Sequence, residues 1–272
     1  MKLRIKFKKY GPVRFIGHLD VMRFYQKALR RAGIDVTYTT GFSPHQVMSF
    51  AAPLGVGLSS NGEYMDIQVN SLPEPGKGDS AQSTPCRLLV ERLNAASVQG
   101  LDVISARILP EDAGNAMASV AAASYTVRFR EGREPDIVKT QPLQKALAAF
   151  LSKDEIMITK ETKKGTREVN LRPGIFELIW RDDSFFMLLD ASSAGNIKPS
   201  QVINALFEDC GEILKGNAFL ITREDVFTDL GEGENHRFVS LGDIGFVDSF
   251  DLREEPLNLQ AQNIDLVKGG AS

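Results

Sequence analysis

Apolar and polar residues alternate through the first hundred positions in patterns typical of strands and helices. Residues 3–9, LRIKFKK, alternate apolar and basic side chains, which predicts a strand with one buried face and one basic face. From His18 to Ala32 the apolar residues recur at helical spacing, and Gly33 ends the predicted helix. The remaining predicted elements are strands at 35–40, 63–69 and 101–108 and a helix at 87–96. This β-α-β-β-α-β order is the split βαβ plan of a ferredoxin-like unit.

The pattern begins again after a segment of small residues at 113–123. The predicted elements are strands at 125–130, 156–161, 167–171, 176–180, 184–189 and 218–223, with helices at 142–151 and 200–208. With an extra hairpin, this order gives a second ferredoxin-like unit. We therefore predict an α+β fold of two tandem ferredoxin-like (split βαβ) units, at 1–110 and 111–227. An extended, acidic C-terminal tail at 228–272 should be partly ordered.

Composition narrows the class of protein. Hydrophobic residues make up 43% of the chain and charged residues 25%, which excludes wholesale disorder and collagen-like repeats. No run of about 18 apolar residues and no apolar leader is present, so we expect neither membrane spanning nor secretion. Cys86 and Cys210 lie far apart without a CxxC, and they indicate neither a disulfide framework nor a thiolate metal site. We expect a cytoplasmic protein.

Charge is distributed unevenly, although the net charge is only −3. Up to Gly33 basic residues far outnumber the single acid Asp20, whereas acidic residues dominate beyond Phe227. Such asymmetry predicts a basic surface for a polyanion such as RNA. Solvated faces that keep the protein in solution are the alternative interpretation.

Two basic elements supply the candidate RNA contacts. At 100° per residue, Arg23, Lys27 and Arg30 fall on the helix side opposite the apolar residues. A predicted hairpin in KETKKGTREVNLRP carries more cations around Gly165, and cations that neutralise phosphates drive nucleic-acid binding. The candidate RNA-binding residues are Arg14, Arg23, Lys27, Arg30, Lys163, Lys164, Arg167 and Arg172. Exposed hairpin lysines also serve solubility, and that alternative stays open.

Candidate catalytic residues are His18, Asp20 and His45. A histidine can take or give a proton near neutral pH, so His18 or His45 could serve as a general base. The second predicted strand should end near the start of the first helix, which predicts that all three side chains line one shallow pocket edged by Arg14 or Arg23. Helix capping and packing are the structural alternatives.

Motifs for other chemistries are missing from the sequence. No CxxxCxxC is present for an iron–sulfur cluster, no HExxH for zinc and no GxSxG for a nucleophilic serine. The glycines of PLGVGLSSNGE match no nucleotide-binding fingerprint. We expect this chain to bind no cofactor and no metal.

The run RFIGHLDVMRFYQKALRRAG, followed by GFSPHQVMSFAAPLGVGLSSNGEYMD, resembles the amino-terminal signature of a radical-SAM-associated family of unknown function. KKGTREVNLRP is similar to that family's second signature, and with SARILP and AAASYTV the resemblance covers about the first 220 residues. Members occur beside, or fused to, radical SAM proteins with a cobalamin-binding-type domain. The resemblance implies a separately encoded radical SAM partner. Gly17 stands where Ser is usual, which gives a weaker helix N-cap, and Asn170 stands where Asp is usual.

Three functions remain open from the sequence. The leading hypothesis is an accessory protein, not itself an enzyme, that binds tRNA or rRNA for modification or processing by the radical SAM partner. A metal-independent endoribonuclease with a histidine base is the second. A protein–protein scaffold without RNA binding is the third.

Overall fold

The computed structural model describes residues 1–76, 83–139, 142–162, 165–214, 216–233 and 235–251. The chain forms two compact units. Unit 1 comprises Met1–Ala121 and the chain from Asp225 on, and unit 2 comprises Ala122–Glu224. The fold is α+β with mostly antiparallel sheet, as predicted for the fold class. None of the helices in the described ranges is long and apolar enough to cross a membrane.

Unit 1 contains two helices packed on an antiparallel sheet. Its elements are β1 (Lys2–Lys9), α1 (His18–Arg31), β2 (Met48–Phe50), β3 (Ser59–Gln68), α2 (Pro85–Ala95), β4 (Val103–Leu109), β11 (Phe238–Ser240) and β12 (Phe246–Asp251). The strands run in the order β12-β4-β1-β3, and β2 pairs with β3. Leu3, Ile5 and Phe7 of β1 pack against Tyr25 of α1 and Leu89 of α2, so alternate residues of β1 build the helix-side core.

The basic face predicted for β1 is not a basic surface. Arg4 and Lys6 are only 3% and 6% exposed. The Arg4 guanidinium donates to both carboxylate oxygens of Asp66, at 2.8 and 3.0 Å, and Lys6 Nζ donates to Asp225 Oδ2 at 3.0 Å. The alternation was predicted correctly. However, both cations are buried in ion pairs, Arg4 with Asp66 on β3 and Lys6 with Asp225 far along the chain. The sequence prediction of a polyanion surface is therefore wrong for Arg4 and Lys6.

The strand predicted at 35–40 is reduced to isolated pairs. Val36 bridges Val69 and Tyr38 bridges Gln46, whereas the regular strand in this region is β2. The Thr37 N–H donates to the Gln68 carbonyl at 2.8 Å, and the Thr37 carbonyl accepts from Val47 N–H at 2.8 Å. Thr37 thus bonds to the end of β3 on one side and to the segment before β2 on the other, and only isolated bridges form.

Unit 2 contains two helices, an antiparallel sheet and a separate hairpin. Its elements are β5 (Ala122–Phe129), α3 (Pro142–Leu151), β6 (Met157–Thr162), β7 (Gly165–Asn170), β8 (Ile175–Arg181), β9 (Ser184–Asp190), α4 (Pro199–Asp209) and β10 (Phe219–Asp229), which crosses the unit boundary. The strand order is β10-β5-β9-β8. β6 and β7 form a separate two-stranded sheet. The extra hairpin predicted from the sequence therefore lies off the main sheet.

Candidate functional site

Helix α1 presents a continuous cationic face to solvent. Val21, Tyr25, Ala28 and Leu29 are buried, so the opposite side of the helix is exposed. Arg23, Lys27 and Arg30 all lie on that exposed side, spaced four and three residues apart. The predicted amphipathic helix with a cationic face is confirmed. We call Arg23, Lys27 and Arg30 the α1 cationic face.

Few intramolecular partners neutralise the α1 cationic face. Arg23 Nη1 lies 3.5 Å from Asp20 Oδ1, and both side chains are mostly exposed. Within the described ranges, Lys27 and Arg30 form no ion pair. Arg31, by contrast, donates to the Ala96 carbonyl at 2.7 Å and ties α1 to the end of α2. The α1 cationic face is therefore available to an anionic ligand, although cations near a helix C-terminus also complement the helix dipole.

Arg14 and Phe15 lie just before α1, in a short 3-10 helix at Gly11–Phe15. Phe15 is 60% exposed, and the Arg14 guanidinium lies 4.8 Å from the centre of its ring. The Arg14 carbonyl accepts a hydrogen bond from Gly57 N–H at 2.8 Å, which fixes the backbone beneath this pair. An exposed ring with a cation above it is the kind of surface on which an unpaired base stacks.

His18 begins α1 and lines a small pocket on unit 1. Gly17 is the N-cap, as predicted, and it supplies no side-chain cap. The His18 ring lies edge-on to Phe50, with the ring centres 5.0 Å apart, and the pocket is also lined by Lys9 and Glu63. The space of about 10 Å³ holds roughly one water molecule. The pocket admits water or one polar group of a ligand, but not a whole nucleotide.

The surroundings of His18 favour its neutral form. Burial lowers the pKa of His18, and the positive charge of Lys9 lowers the pKa further. Lys9 is 2% exposed and donates from Nζ to the Ile16 carbonyl at 2.9 Å, and Glu63 is 6% exposed. Sequence reasoning missed both residues as pocket residues. A glutamate at the start of the predicted strand EYMDIQV was the available signal.

The predicted cluster of His18, Asp20 and His45 is not formed by direct contacts among the described residues. Asp20 is exposed and its ion-pair partner is Arg23. His45 is exposed, its N–H donates to Thr39 Oγ1 at 3.1 Å, and its Nδ1 also lies 3.1 Å from that hydroxyl. These contacts belong to the GFSPH turn and not to the His18 pocket. A site shared by the three residues stays a prediction. Of the three, only His18 lines the small pocket on unit 1.

In the predicted RNA-binding hairpin, only some residues face solvent. Lys163 and Lys164 lie outside the described residues. Arg167 is exposed on β7. Arg172 is instead half-buried, with Nε donating to the Leu151 carbonyl at 3.0 Å and Nη1 to the Ile175 carbonyl at 3.4 Å. These two contacts tie α3 to β8, which gives Arg172 a structural role.

Asn170 fixes the base of the same hairpin. Its Oδ1 accepts from Ile156 N–H at 2.9 Å and from Arg172 N–H at 3.0 Å. An amide oxygen is sufficient for both hydrogen bonds, so the asparagine found in place of aspartate is compatible with this turn.

A comparison with known proteins bears on this site. The family model described as "Uncharacterized protein conserved in bacteria (DUF2344)" matches residues 2–199, which is more than half of the chain. The match includes the α1 cationic face, the His18 pocket and the β6–β7 hairpin. No curated protein matches the sequence.

Proposed function

We propose that this chain, which belongs to the DUF2344 family of uncharacterized proteins conserved in bacteria, is an RNA-binding accessory protein for a separate radical SAM enzyme. The observation that carries RNA binding is the α1 cationic face, whose Arg23, Lys27 and Arg30 lie exposed along one side of the helix. Cations spaced along a helix neutralise successive phosphates without reading the bases. Arg167 on the β6–β7 hairpin adds a second cationic element.

The exposed Phe15 ring favours single-stranded RNA over a duplex. Base stacking on an aromatic ring combined with a cationic track is the usual mode of sequence-tolerant single-strand binding. On the face of the unit 1 sheet that points away from the helices, Tyr64 and Asp66 are only 2% and 4% exposed. Bases therefore cannot reach that sheet face at Tyr64 and Asp66, and the exposed helix side is the surface proposed for RNA.

The strand orders support the finer fold proposal. Both β4-β1-β3-β2 and β10-β5-β9-β8 are orders of a split βαβ unit with two helices, and β6–β7 would be an insertion in the second. Tandem ferredoxin-like units also occur in RNA-processing endoribonucleases, which is an analogy of fold alone. The radical SAM partner rests on the resemblance of the RFIGHLD and GFSPH segments.

Fluorescence anisotropy tests RNA binding directly. The full chain is titrated into a labelled single-stranded RNA, and separately into labelled duplex RNA, at several salt concentrations. We expect saturable binding to the single strand, with an affinity that falls as salt rises. Binding that is undetectable at low salt, or insensitive to salt, would contradict the proposal. Co-purification of a radical SAM protein with the tagged chain from its host tests the partner independently.

A second candidate function is RNA cleavage with His18 as general base. Burial, and then the charge of Lys9, lower the pKa of His18, which favours the neutral imidazole that can accept a proton. A base at the pocket mouth could activate a ribose 2′-OH presented from the surface. Labelled cellular RNA incubated with pure protein, with and without chelator, tests this: RNA that stays intact with wild-type protein excludes it. His18→Gln should abolish any cleavage found.

A further inference from the structure

Unit 2 contains a cleft between the β6–β7 hairpin and the loop that follows β9. Its volume of about 440 Å³ lies within the range of small-ligand sites, about 300–1,000 Å³. The lining residues that matter here are Lys160, Arg167, Val169, Asp190, Gly195 and Ile197. Two cations, the apolar side chains of Val169 and Ile197, and the two carboxylates of Glu168 and Asp190 line this cleft.

The hairpin wall of the cleft carries two cations, and Glu168 of the same hairpin also lines the cleft. Lys160 and Arg167 are directly paired across β6 and β7, so both side chains lie on the same face of the hairpin. Like charges in this position destabilise a strand pair. Neither cation forms an ion pair with any residue in the described ranges. A bound anion would relieve the repulsion, and arginine with lysine suits a phosphate group.

The opposite wall of the cleft carries the Asp190 carboxylate. Among the described residues, only one of its two oxygens accepts a hydrogen bond. Ser192 N–H donates to Asp190 Oδ1 at 2.8 Å, and no described residue donates to Oδ2. Gly195 passes so close that a Cβ there would lie 1.9 Å from Oδ2. A larger residue at position 195 would therefore push the Asp190 carboxylate out of its present position. A carboxylate accepts but does not donate, so it selects a hydroxyl or amino group on a ligand.

The middle of the cleft is apolar. Val169 lies on the same hairpin face as Arg167, and Ile197 is 6% exposed. Gly174 packs tightly against Ile197, since a Cβ at Gly174 would lie 2.5 Å from its Cδ1. This close packing fixes the position of Ile197 in the cleft lining.

We propose that the cleft binds one ribonucleotide unit. Lys160 and Arg167 contact the phosphate, Val169 and Ile197 pack against the body of the nucleotide, and Asp190 accepts a hydrogen bond from a ribose hydroxyl. This proposal rests on the proposed RNA binding for its choice of ribonucleotide, but it involves none of the α1 cationic face. A free mononucleotide and one nucleotide of an RNA strand share the required chemistry.

Isothermal titration calorimetry of the full chain tests the site with adenosine 5′-monophosphate, its 2′-deoxy analogue, an RNA trinucleotide and inorganic phosphate. We expect saturable binding of the ribonucleotide or of the trinucleotide, and weaker binding of inorganic phosphate. K160Q/R167Q should weaken nucleotide binding by about tenfold or more, the usual effect of losing hydrogen bonds to a charged group. The control R128Q/K145Q removes two exposed unit 2 cations outside the cleft and should leave affinity unchanged.

A second set of variants distinguishes the contribution of Asp190 from that of Lys160 and Arg167. D190N should reduce the preference for the ribonucleotide over its 2′-deoxy analogue while retaining phosphate binding. If the trinucleotide binds through Lys160 and Arg167 and the mononucleotide does not, the ligand of the cleft is an RNA strand. If the mononucleotide binds and the trinucleotide does not, the ligand is a free nucleotide. The proposal is overturned if wild-type protein binds neither, or if K160Q/R167Q binds both normally. R23Q/K27Q/R30Q should still bind the mononucleotide, so loss of RNA binding through α1 is distinguishable from failure of the cleft.

Discussion

Strand β1 and helix α1 are both amphipathic and rich in basic residues, yet their cations occupy opposite environments. Arg4 and Lys6 of β1 are buried in ion pairs with Asp66 and Asp225. Lys27 and Arg30 of α1 are exposed. The partners of Arg4 and Lys6 lie 62 and 219 positions away along the chain. A local pattern shows which residues share a face, but a distant segment decides whether that face is covered.

The buried cations belong to a hydrogen-bonded network that stabilises unit 1. Asp225 accepts from Lys6, from Ser240 Oγ at 2.8 Å and from the Tyr64 hydroxyl. Burial, with the charge of Asp225 and its hydrogen bond, raises the pKa of Tyr64, so the hydroxyl keeps its proton and donates. Basic residues thus stabilise the fold in β1, whereas in α1 they remain available to a ligand.

Replacing Lys6 gives the largest expected effect. Lys6→Met leaves Asp225 buried without its counter-charge, and the free energy of unfolding should fall by about 3–5 kcal/mol. Lys27→Met, the matched change on α1, should alter it by less than about 0.5 kcal/mol. Urea denaturation followed by circular dichroism measures both. Equal losses from the two variants would contradict the distinction between buried and exposed cations.

Arg172 and Arg167 extend the comparison to unit 2. Arg172→Ala removes two hydrogen bonds to backbone carbonyls and should cost about 1.5–3 kcal/mol of unfolding free energy. Arg167→Ala removes an exposed side chain and should change the unfolding free energy by less than about 0.5 kcal/mol. Thermal and urea unfolding measure both variants. An Arg172→Ala protein as stable as wild type would show that these contacts do not support the fold.

A smaller, pH-dependent effect is expected at His18. Burial and Lys9 lower the folded pKa, so the unfolded chain binds a proton more readily than the folded chain. The stability that neutral His18 contributes is therefore full above the unfolded pKa, about 6.5, and is lost as pH falls through the lower folded pKa. His18→Gln should show a smaller loss of stability than wild type on acidification from pH 7.5 to 5.

The control for this measurement is His45→Gln, because His45 is exposed in the GFSPH turn. Its urea midpoints should follow the wild-type dependence on pH. If His18→Gln and wild type lose stability in parallel, His18 is not the group responsible.

Local patterns predicted most helices and strands, because periodicity and terminators act within a few residues. α1 was predicted from His18 to Ala32, and the structure gives His18–Arg31. The extra hairpin was also predicted, as were the exposed positions of Arg23, Lys27 and Arg30. Non-local pairing produced the errors: Thr37 hydrogen-bonds to two neighbours, so the predicted strand at 35–40 became isolated bridges.

The site residues were predicted less completely, for the same physical reason. His18 was recognised as a candidate, but its neighbours Lys9 and Glu63 come from strands that only the fold brings together. Asp190 and Gly195 were missed because nothing in the ASSAGN loop resembles a known motif. An aspartate at the end of a strand, followed by small residues, was the only local signal.

The salt dependence of RNA affinity in an α1 variant tests the central claim most directly. For single-stranded RNA, each phosphate contact contributes about −0.7 to the slope of log affinity against log salt concentration. R23Q/K27Q/R30Q should therefore bind more weakly than wild type, with a slope less steep by about 2. The control R92Q/R128Q/K145Q makes the same charge change at exposed positions elsewhere and should keep the wild-type slope. Equal slopes for wild type and R23Q/K27Q/R30Q would contradict RNA binding through the α1 cationic face.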